Sequence, residues 1–581
     1  MADPNLSSFL WTVADALRGD YKQSEYGRVI LPFTVLRRLD GVLAPTKAAV
    51  LAEKRKRSES GAALGVYLKR AAGVGFYNDH PLDLAACVAD QDHVLPNLLA
   101  YVEGFSAEVR DVFECFGFEA QLERLAEADS LYAVAEAFAG VDLSPSAVSN
   151  AAMGTVFEEL IRRFAEASNE TAGEHFTPRE VIRLMVDLLF SEDDEALSDP
   201  HVVRTIYDPT AGTGGMLSVA DEHLRAMNPT ASLTMSGQEV NKESYAIAKA
   251  DLLIKGQAVG AVRLGNTLSD DKLPGERFDY LLSNPPFGVE WKKIRQAVKD
   301  EHERLGFGGR FGPGLPRVSD GSLLFLLHLL SKMRRAEDGG SRIAIVLNGS
   351  PLFTGNAGSG ESEIRRHVLE NDLVEAVVGL PTDMFYNTGI ATYVWVLSNR
   401  KPAHRRGLVQ LIDASGMWRK MRKSLGSKRR ELGDGDIARV VRLFGAAEDA
   451  DAEDGTPLSR VFPNEAFGYR TITVERPQRD EAGNVVRATR GKGKGQPLPD
   501  ASLRDTENVP LSEDVDVYFE REVLPHAPDA WIDHDKTKVG YEIPFNRHFY
   551  VFSPPRPLAE IDAELKTVTS RIVEMIGGLD A

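Results

Sequence analysis

Between residues 165 and 400, short runs rich in β-branched and aromatic residues alternate with helical stretches, and this alternation constrains the chain more than any other feature. The runs are Thr205 to Tyr207, Ser232 to Glu239, Asp279 to Ser283, Arg342 to Leu347, Leu373 to Gly379 and Thr392 to Leu397, with a helix expected over Leu323 to Met333. Strands separated by helices pair in parallel through crossovers, so the expected fold is α/β, a doubly wound, Rossmann-like domain. Ligands in such domains sit at the carboxyl ends of the strands, which makes the residues just after each run the ones to inspect for chemistry.

At 581 residues the chain is too long for one core. Phe9, Leu10, Val13 and Leu17 recur at helical spacing, and with the apolar stretch Val29 to Leu39 they predict a helical unit over residues 1–150. The polar segment Leu143 to Asn150 then offers a turn before a helix at Met153 to Phe164. The α/β unit is expected over 151–430, and 431–581 as a helical C-terminal extension. Its last helix, Ala559 to Ile576, places Ile561, Leu565, Val568, Ile572 and Met575 on one side. Cys87 and Cys115 are too few for a disulfide framework or a thiolate zinc cage, and no metal is expected. With neither a long apolar run nor a signal-like N-terminus, the expectation is a cytoplasmic chain without a membrane span. A formal charge of −18 argues against binding nucleic acid by bulk electrostatics; such contact has to be local or supplied by a partner.

Ile206 to Leu217 (IYDPTAGTGGML) reads as a strand end, an acidic residue, a turn of small residues and a helix start. Gly212, Gly214 and Gly215 allow close approach of a ligand, and the helix start offers unpaired N–H groups. Glu239 lies 24 residues beyond Gly215, where a doubly wound fold places an acid to accept from ribose hydroxyls. The absence of GxGxxG in register argues against a nicotinamide dinucleotide.

Phe278 to Gly288 (FDYLLSNPPFG) is the most informative stretch, because Asn284-Pro285-Pro286-Phe287 follows a strand at the ligand edge of the sheet. Two prolines stiffen the turn and remove two N–H donors, leaving carbonyl oxygens free to accept. Asn284 adds a side-chain carbonyl. Two acceptors converging on a planar, weakly nucleophilic amine orient its hydrogens and turn its lone pair towards a methyl donor. Phe287 supplies a flat face for a base, worth ~1–3 kcal/mol.

The tetrapeptide resembles the Asn/Asp-Pro-Pro-aromatic signature of N6-adenine and related amino-methyltransferases, and the glycine-rich turn resembles the nucleoside loop of S-adenosylmethionine-dependent methyltransferases. The likeness extends to Gly173 to Arg179 (GEHFTPR), Gly265 to Leu268, Leu380 to Thr392, Val29 to Asp40 and Lys536 to Phe552. In this the chain is similar to the modification (M) subunits of type I restriction-modification systems. The resemblance implies that 151–430 is an S-adenosyl-L-methionine-dependent, adenine-specific DNA methyltransferase domain, with Asn284, Pro285, Pro286 and Phe287 catalytic. It implies cofactor contacts from Glu174, His175, Phe176, Thr177 and Pro178, from Asp208, Pro209, Thr210, Ala211, Gly212, Thr213, Gly214 and Gly215, and from Glu239 and Asn266. A backbone-held structural imidazole is the competing role for His175. The target adenine has to be flipped out of the duplex. Phe385 is either a second wall of the base pocket or an ordinary core residue.

DNA contacts are expected from Lys292, Lys293, Arg295 and Arg310, or from Arg419, Lys420, Arg422 and Lys423. Beyond DNA, the implied partners are a specificity (S) subunit that reads the sequence and a restriction (R) motor-nuclease subunit, with two copies of this chain per complex; the last helix is either a subunit-docking element or a locally packed one. Two other readings share the motif: a protein glutamine methyltransferase, and a stand-alone adenine methyltransferase of another defence system. A silent assembly protein is disfavoured by the intact motifs.

Overall fold

The computed structural model describes residues 13–57, 64–167, 177–193, 198–257, 261–386, 388–425, 427–490, 494–551 and 556–577. Glu174, His175 and Phe176 lie outside the described residues.

Its strands are β1 (Val203–Asp208), β2 (Ser232–Glu239), β3 (Val262–Leu264), β4 (Tyr280–Ser283), β5 (Arg342–Asn348), β6 (Val374–Gly379), β7 (Thr392–Ser398) and β8 (Leu408–Asp413). They continue with β9 (Arg419–Leu425), β10 (Lys428–Glu431), β11 (Ala450–Asp451), β12 (Pro457–Pro463), β13 (Gly468–Glu475), β14 (Asp505–Pro510) and β15 (Trp531–Tyr541). Ten of them form one sheet in the order β11-β12-β8-β6-β7-β5-β4-β1-β2-β3. From β3 to β5 all neighbours are parallel, whereas β7 runs antiparallel to both β5 and β6. The doubly wound expectation holds, and each of the six strands read from the sequence is present.

Central strands buried on both faces read as continuous apolar runs rather than alternating ones, and β5, β6 and β7 are almost wholly buried. Ala344 and Val346 face one core with the helices Arg179–Phe190, Gly215–Met227 and Asp434–Ala446. Ile343, Ile345 and Leu347 face the other with Ser322–Ser331 and Gly360–Glu370.

The N-terminal region is helical, as expected, and its core takes in Ile247, Ala250 and Leu253 from the helix Lys242–Ile254 that follows β2. Asp111 seals that junction, accepting from Tyr245 Oη at 2.7 Å and Lys249 Nζ at 2.8 Å.

The region after 430 departs from the helical expectation. β12 and β11 extend the main sheet, and β13 pairs with β14 and β15 in a separate three-stranded antiparallel sheet. The closing helix Leu558–Gly577 leaves Leu565, Val568, Ile572 and Met575 more than half exposed. Among the described residues no helix is long and apolar enough to cross a membrane.

Candidate active site

Strand order reverses at β1, whose neighbours are β2 on one side and β4 on the other. A crevice opens at such a switch point beyond the carboxyl ends of the strands. The cavity there has a volume of about 270 Å³, and its walls include Thr177, Pro209, Thr210, Ala211, Gly212, Thr213, Gly215, Glu239, Asn266, Asn284 and Pro286.

The loop after β1 is shaped by two left-handed glycines, Gly212 at φ +53° and Gly214 at φ +79°, a conformation costly for residues with a Cβ. A Cβ on Gly214 would also stand 3.2 Å from that of Ala248. Glu239, at the end of β2, ties the loop down. Its Oε2 accepts from Gly212 N–H and its Oε1 from Asn241 N–H, both at 2.7 Å. A carboxylate has about four acceptor positions, so these bonds leave room for ligand hydroxyls. Next to it, Val240 is an apolar wall residue 61% exposed. Asn266 uses its Oδ1 to accept from the N–H groups of Leu268 and Ser269.

Asp208 is fully buried behind the loop. Its Oδ1 accepts from the Thr210 N–H at 2.9 Å and hydroxyl at 3.2 Å, while Oδ2 has no partner among the described residues. Burial pushes the carboxyl from its ordinary 3.8 up to about 7, against the Thr210 hydrogen bonds. The folded chain therefore keeps a proton that the unfolded chain releases near pH 3.8. The stability this group contributes is complete below that pH and is lost as pH rises towards about 7. Asp208→Asn stays neutral throughout, so its melting temperature relative to wild type should climb between about pH 4 and about pH 7. A pH-independent difference in a thermal-shift series would contradict this.

Hydroxyls lock the loop to the tetrapeptide: Thr210 Oγ1 lies 2.7 Å from Ser283 Oγ, the last residue of β4. Beyond Ser283, Asn284 donates from Nδ2 to Thr177 Oγ1 at 2.9 Å. Its Oδ1 is shielded from solvent and has no partner among the described residues. Pro285 is buried, and Phe287 is half-buried with its ring edge-on to Phe385, centroids 5.6 Å apart at 85°. Phe385 is a core residue that supports Phe287 rather than an open wall. Pro178 starts the helix Arg179–Phe190, its carbonyl accepting from Val181 and Ile182. Pro178, Asp208, Gly214, Pro285 and Phe287 stand behind or beside the cavity wall rather than forming it.

The roles of two residues of this region escaped sequence reasoning. Thr267 donates to Pro209 O at 2.5 Å and so links the Asn266 segment to the glycine loop. Arg310, expected on DNA, is instead spent inside the protein. Its guanidinium meets Glu301 at 2.6 Å, Thr267 O at 2.7 Å and Leu268 O at 2.9 Å. It also reaches His328 Nδ1 at 3.1 Å. Burial, with Arg310 beside it, pushes the His328 imidazole down to about 3. The ring is thus neutral, accepting at Nδ1 and donating from Nε2 to Tyr207 Oη at 3.0 Å. Only the Thr that follows Asn266 was a readable signal; Arg310 had none.

The profile of the N-6 DNA methylase family matches residues 148–460, the part of the chain that builds this site. The chain belongs to that family. The profile of the HsdM N-terminal domain matches residues 6–138. Among curated relatives, the type I restriction enzyme MjaIX methylase subunit of Methanocaldococcus jannaschii is 30% identical over 303 residues, 51% of this chain and 50% of that protein. The HindI methylase subunit of Haemophilus influenzae is 27% identical over 303 residues, 52% of this chain and 61% of that one. The chain thus spans about half the length of the curated relatives it matches. A solved type I restriction-modification methyltransferase subunit from Streptococcus thermophilus superposes with a TM-score of 0.61 at 25% identity, covering 79% of this chain and 96% of its own. This likeness supports the fold over most of the chain.

Proposed function

We propose that the chain is the modification subunit of a type I restriction-modification complex, transferring a methyl group from S-adenosyl-L-methionine to N6 of an adenine extruded from DNA. One atom carries this reading: Asn284 Oδ1, buried and unpartnered among the described residues, beside a half-buried aromatic ring and a glycine-lined cavity. A desolvated acceptor costs about 1–3 kcal/mol until a donor reaches it, and the amino group of a nucleobase is such a donor.

The cavity fits the cofactor on the same grounds. Glu239 keeps acceptor capacity for ribose hydroxyls, Val240 offers an apolar face to a purine, and Asn266 lines the wall where a purine edge would lie. When bound, S-adenosyl-L-methionine supplies a methyl group already activated by its sulfonium charge. The protein therefore positions rather than acts as acid or base. The neutral Asn284 amide accepts from the amine, a main-chain carbonyl of the proline turn accepts its second hydrogen, and the released proton passes to solvent. Phe287 stacks on the extruded base, offsetting the few kcal/mol of unstacking.

The charge of −18 supports a separate specificity subunit for reading DNA; the resemblance to type I methylase subunits implies a motor-nuclease subunit and two copies of this chain in a cytoplasmic complex. The test supplies methyl-labelled S-adenosyl-L-methionine and unmethylated DNA to the chain with and without its specificity partner. Label is expected in N6-methyladenine when the partner is present. Label in protein glutamine, or none in DNA with the partner present, would overturn the proposal.

A further inference from the structure

The geometry points to the β9–β10 hairpin as the arm that grips the DNA backbone beside the extruded base. This rests on the methyltransferase reading above and chooses between the two basic clusters. Residues 418–431 carry seven Lys and Arg against one acid, Glu431, in a chain of net charge −18. The rival stretch, 290–303, holds four basic residues (Lys292, Lys293, Arg295 and Lys299) but also four acidic ones (Glu290, Asp300, Glu301 and Glu303). A polyanion is attracted by local excess charge, which of these two stretches only the hairpin has.

Four of the hairpin's cations are committed to holding it together or holding it down, or lie beyond description. Arg419 pairs with Glu431 at 2.9 Å, buried Lys428 pairs with Glu180, and Arg430 lies over the Trp418 ring while donating to Thr382 Oγ1 at 3.0 Å. The fourth is Lys423, whose side chain is outside the described residues. Lys420, Arg422 and Arg429 remain, all exposed and with no carboxylate paired to them among the described residues.

Placement is the second argument. The hairpin is anchored on the two segments that support the base pocket. Ser427 N–H donates to Tyr386 O at 2.8 Å, and Arg429 N–H to Asp383 O at 2.9 Å, fixing it to the segment that sets Phe385 against Phe287. Asp383 is itself held at φ +60°, a left-handed conformation kept only where surroundings impose it. Glu180, the partner of Lys428, sits three residues after Thr177, which receives the Asn284 amide. Three cations without a carboxylate partner among the described residues thus stand on a two-stranded hairpin whose turn end touches both supports of the tetrapeptide. A strand whose nucleotide entered the pocket would carry its flanking phosphates past them.

The test compares wild type with Lys420→Gln/Arg422→Gln/Arg429→Gln and with Lys292→Gln/Lys293→Gln/Arg295→Gln, each assembled with the specificity partner. DNA binding is measured against salt, in the wild-type and in an Asn284→Ala background, so that binding is read without methyl transfer. For the hairpin variant the slope of log affinity against log salt should shrink by about 2–3, as expected for three phosphate contacts, with KM for DNA raised at least about tenfold. The 292–295 variant should lose less than half of that. An unchanged slope in the hairpin variant, or a larger loss in the 292–295 variant, overturns the assignment. Intact salt-dependent binding by a wild type that transfers no methyl group would instead sink the reading on which it rests.

Discussion

Asn284→Ala is expected to lower kcat for methyl transfer by about 10²- to 10³-fold, the usual consequence of deleting one preorganised hydrogen-bonding group at a reacting centre. The dissociation constant for S-adenosyl-L-methionine, measured calorimetrically, should change by less than about threefold, since Glu239 and the glycine loop are untouched. The asymmetry follows from what Asn284 does in the fold. Its Nδ2 is engaged with Thr177 and its Oδ1 has no partner among the described residues, so the side chain is held in place with that acceptor available. Asn284→Asp retains an acceptor but loses the donor to Thr177 and should fall between wild type and alanine. Alanine at wild-type kcat would remove the mechanism.

The second large effect is expected at Arg310. Arg310→Met strands the Glu301 carboxylate, which is 17% exposed, and leaves the Thr267 and Leu268 carbonyls without their shared donor. Breaking a well-buried pair costs about 3–5 kcal/mol; with some solvent access here, a loss of about 2–3 kcal/mol in the unfolding of the sheet domain is expected. Cofactor affinity should fall by about tenfold or more, because the released segment carries Asn266 into the cavity wall and Thr267 onto Pro209. Arg310→Lys keeps the charge but not the fork that meets three partners at once, and should recover only part of either loss. If Arg310→Met weakened DNA binding while sparing stability and cofactor affinity, the clamp would be the wrong description.

What was legible in the sequence was local. Ser232 to Glu239 could be bounded to the residue because it ends on an acid and a helix cap, Asn241, comes two residues later. Asn284 could be placed because four buried residues lead straight into two prolines. Partnerships across the fold were not. Nothing in the chain announces that Asn284 is held by a threonine 107 residues earlier, or that Arg310 serves carbonyls more than 40 residues away. β3 is three residues long, too short for a pattern. β12 (PLSRVFP) begins and ends in proline and is only half buried, so its lack of clean alternation hid a strand that extends the main sheet. The β13–β15 sheet escaped for a related reason: β14 (DTENVP) is nearly all polar and exposed, and its apolar partners lie far along the chain.

The bond between Thr210 and Ser283 spans the ends of two adjacent parallel strands, β1 and β4. Neighbouring strands stand about 4.8 Å apart because their main chains are bonded together. The gap between the place for a methyl donor and the place for its acceptor is therefore a lattice constant of the sheet. Thermal motion can tilt both loops together but has little means of altering their spacing, which leaves delivery of the nucleotide as the variable part of the encounter.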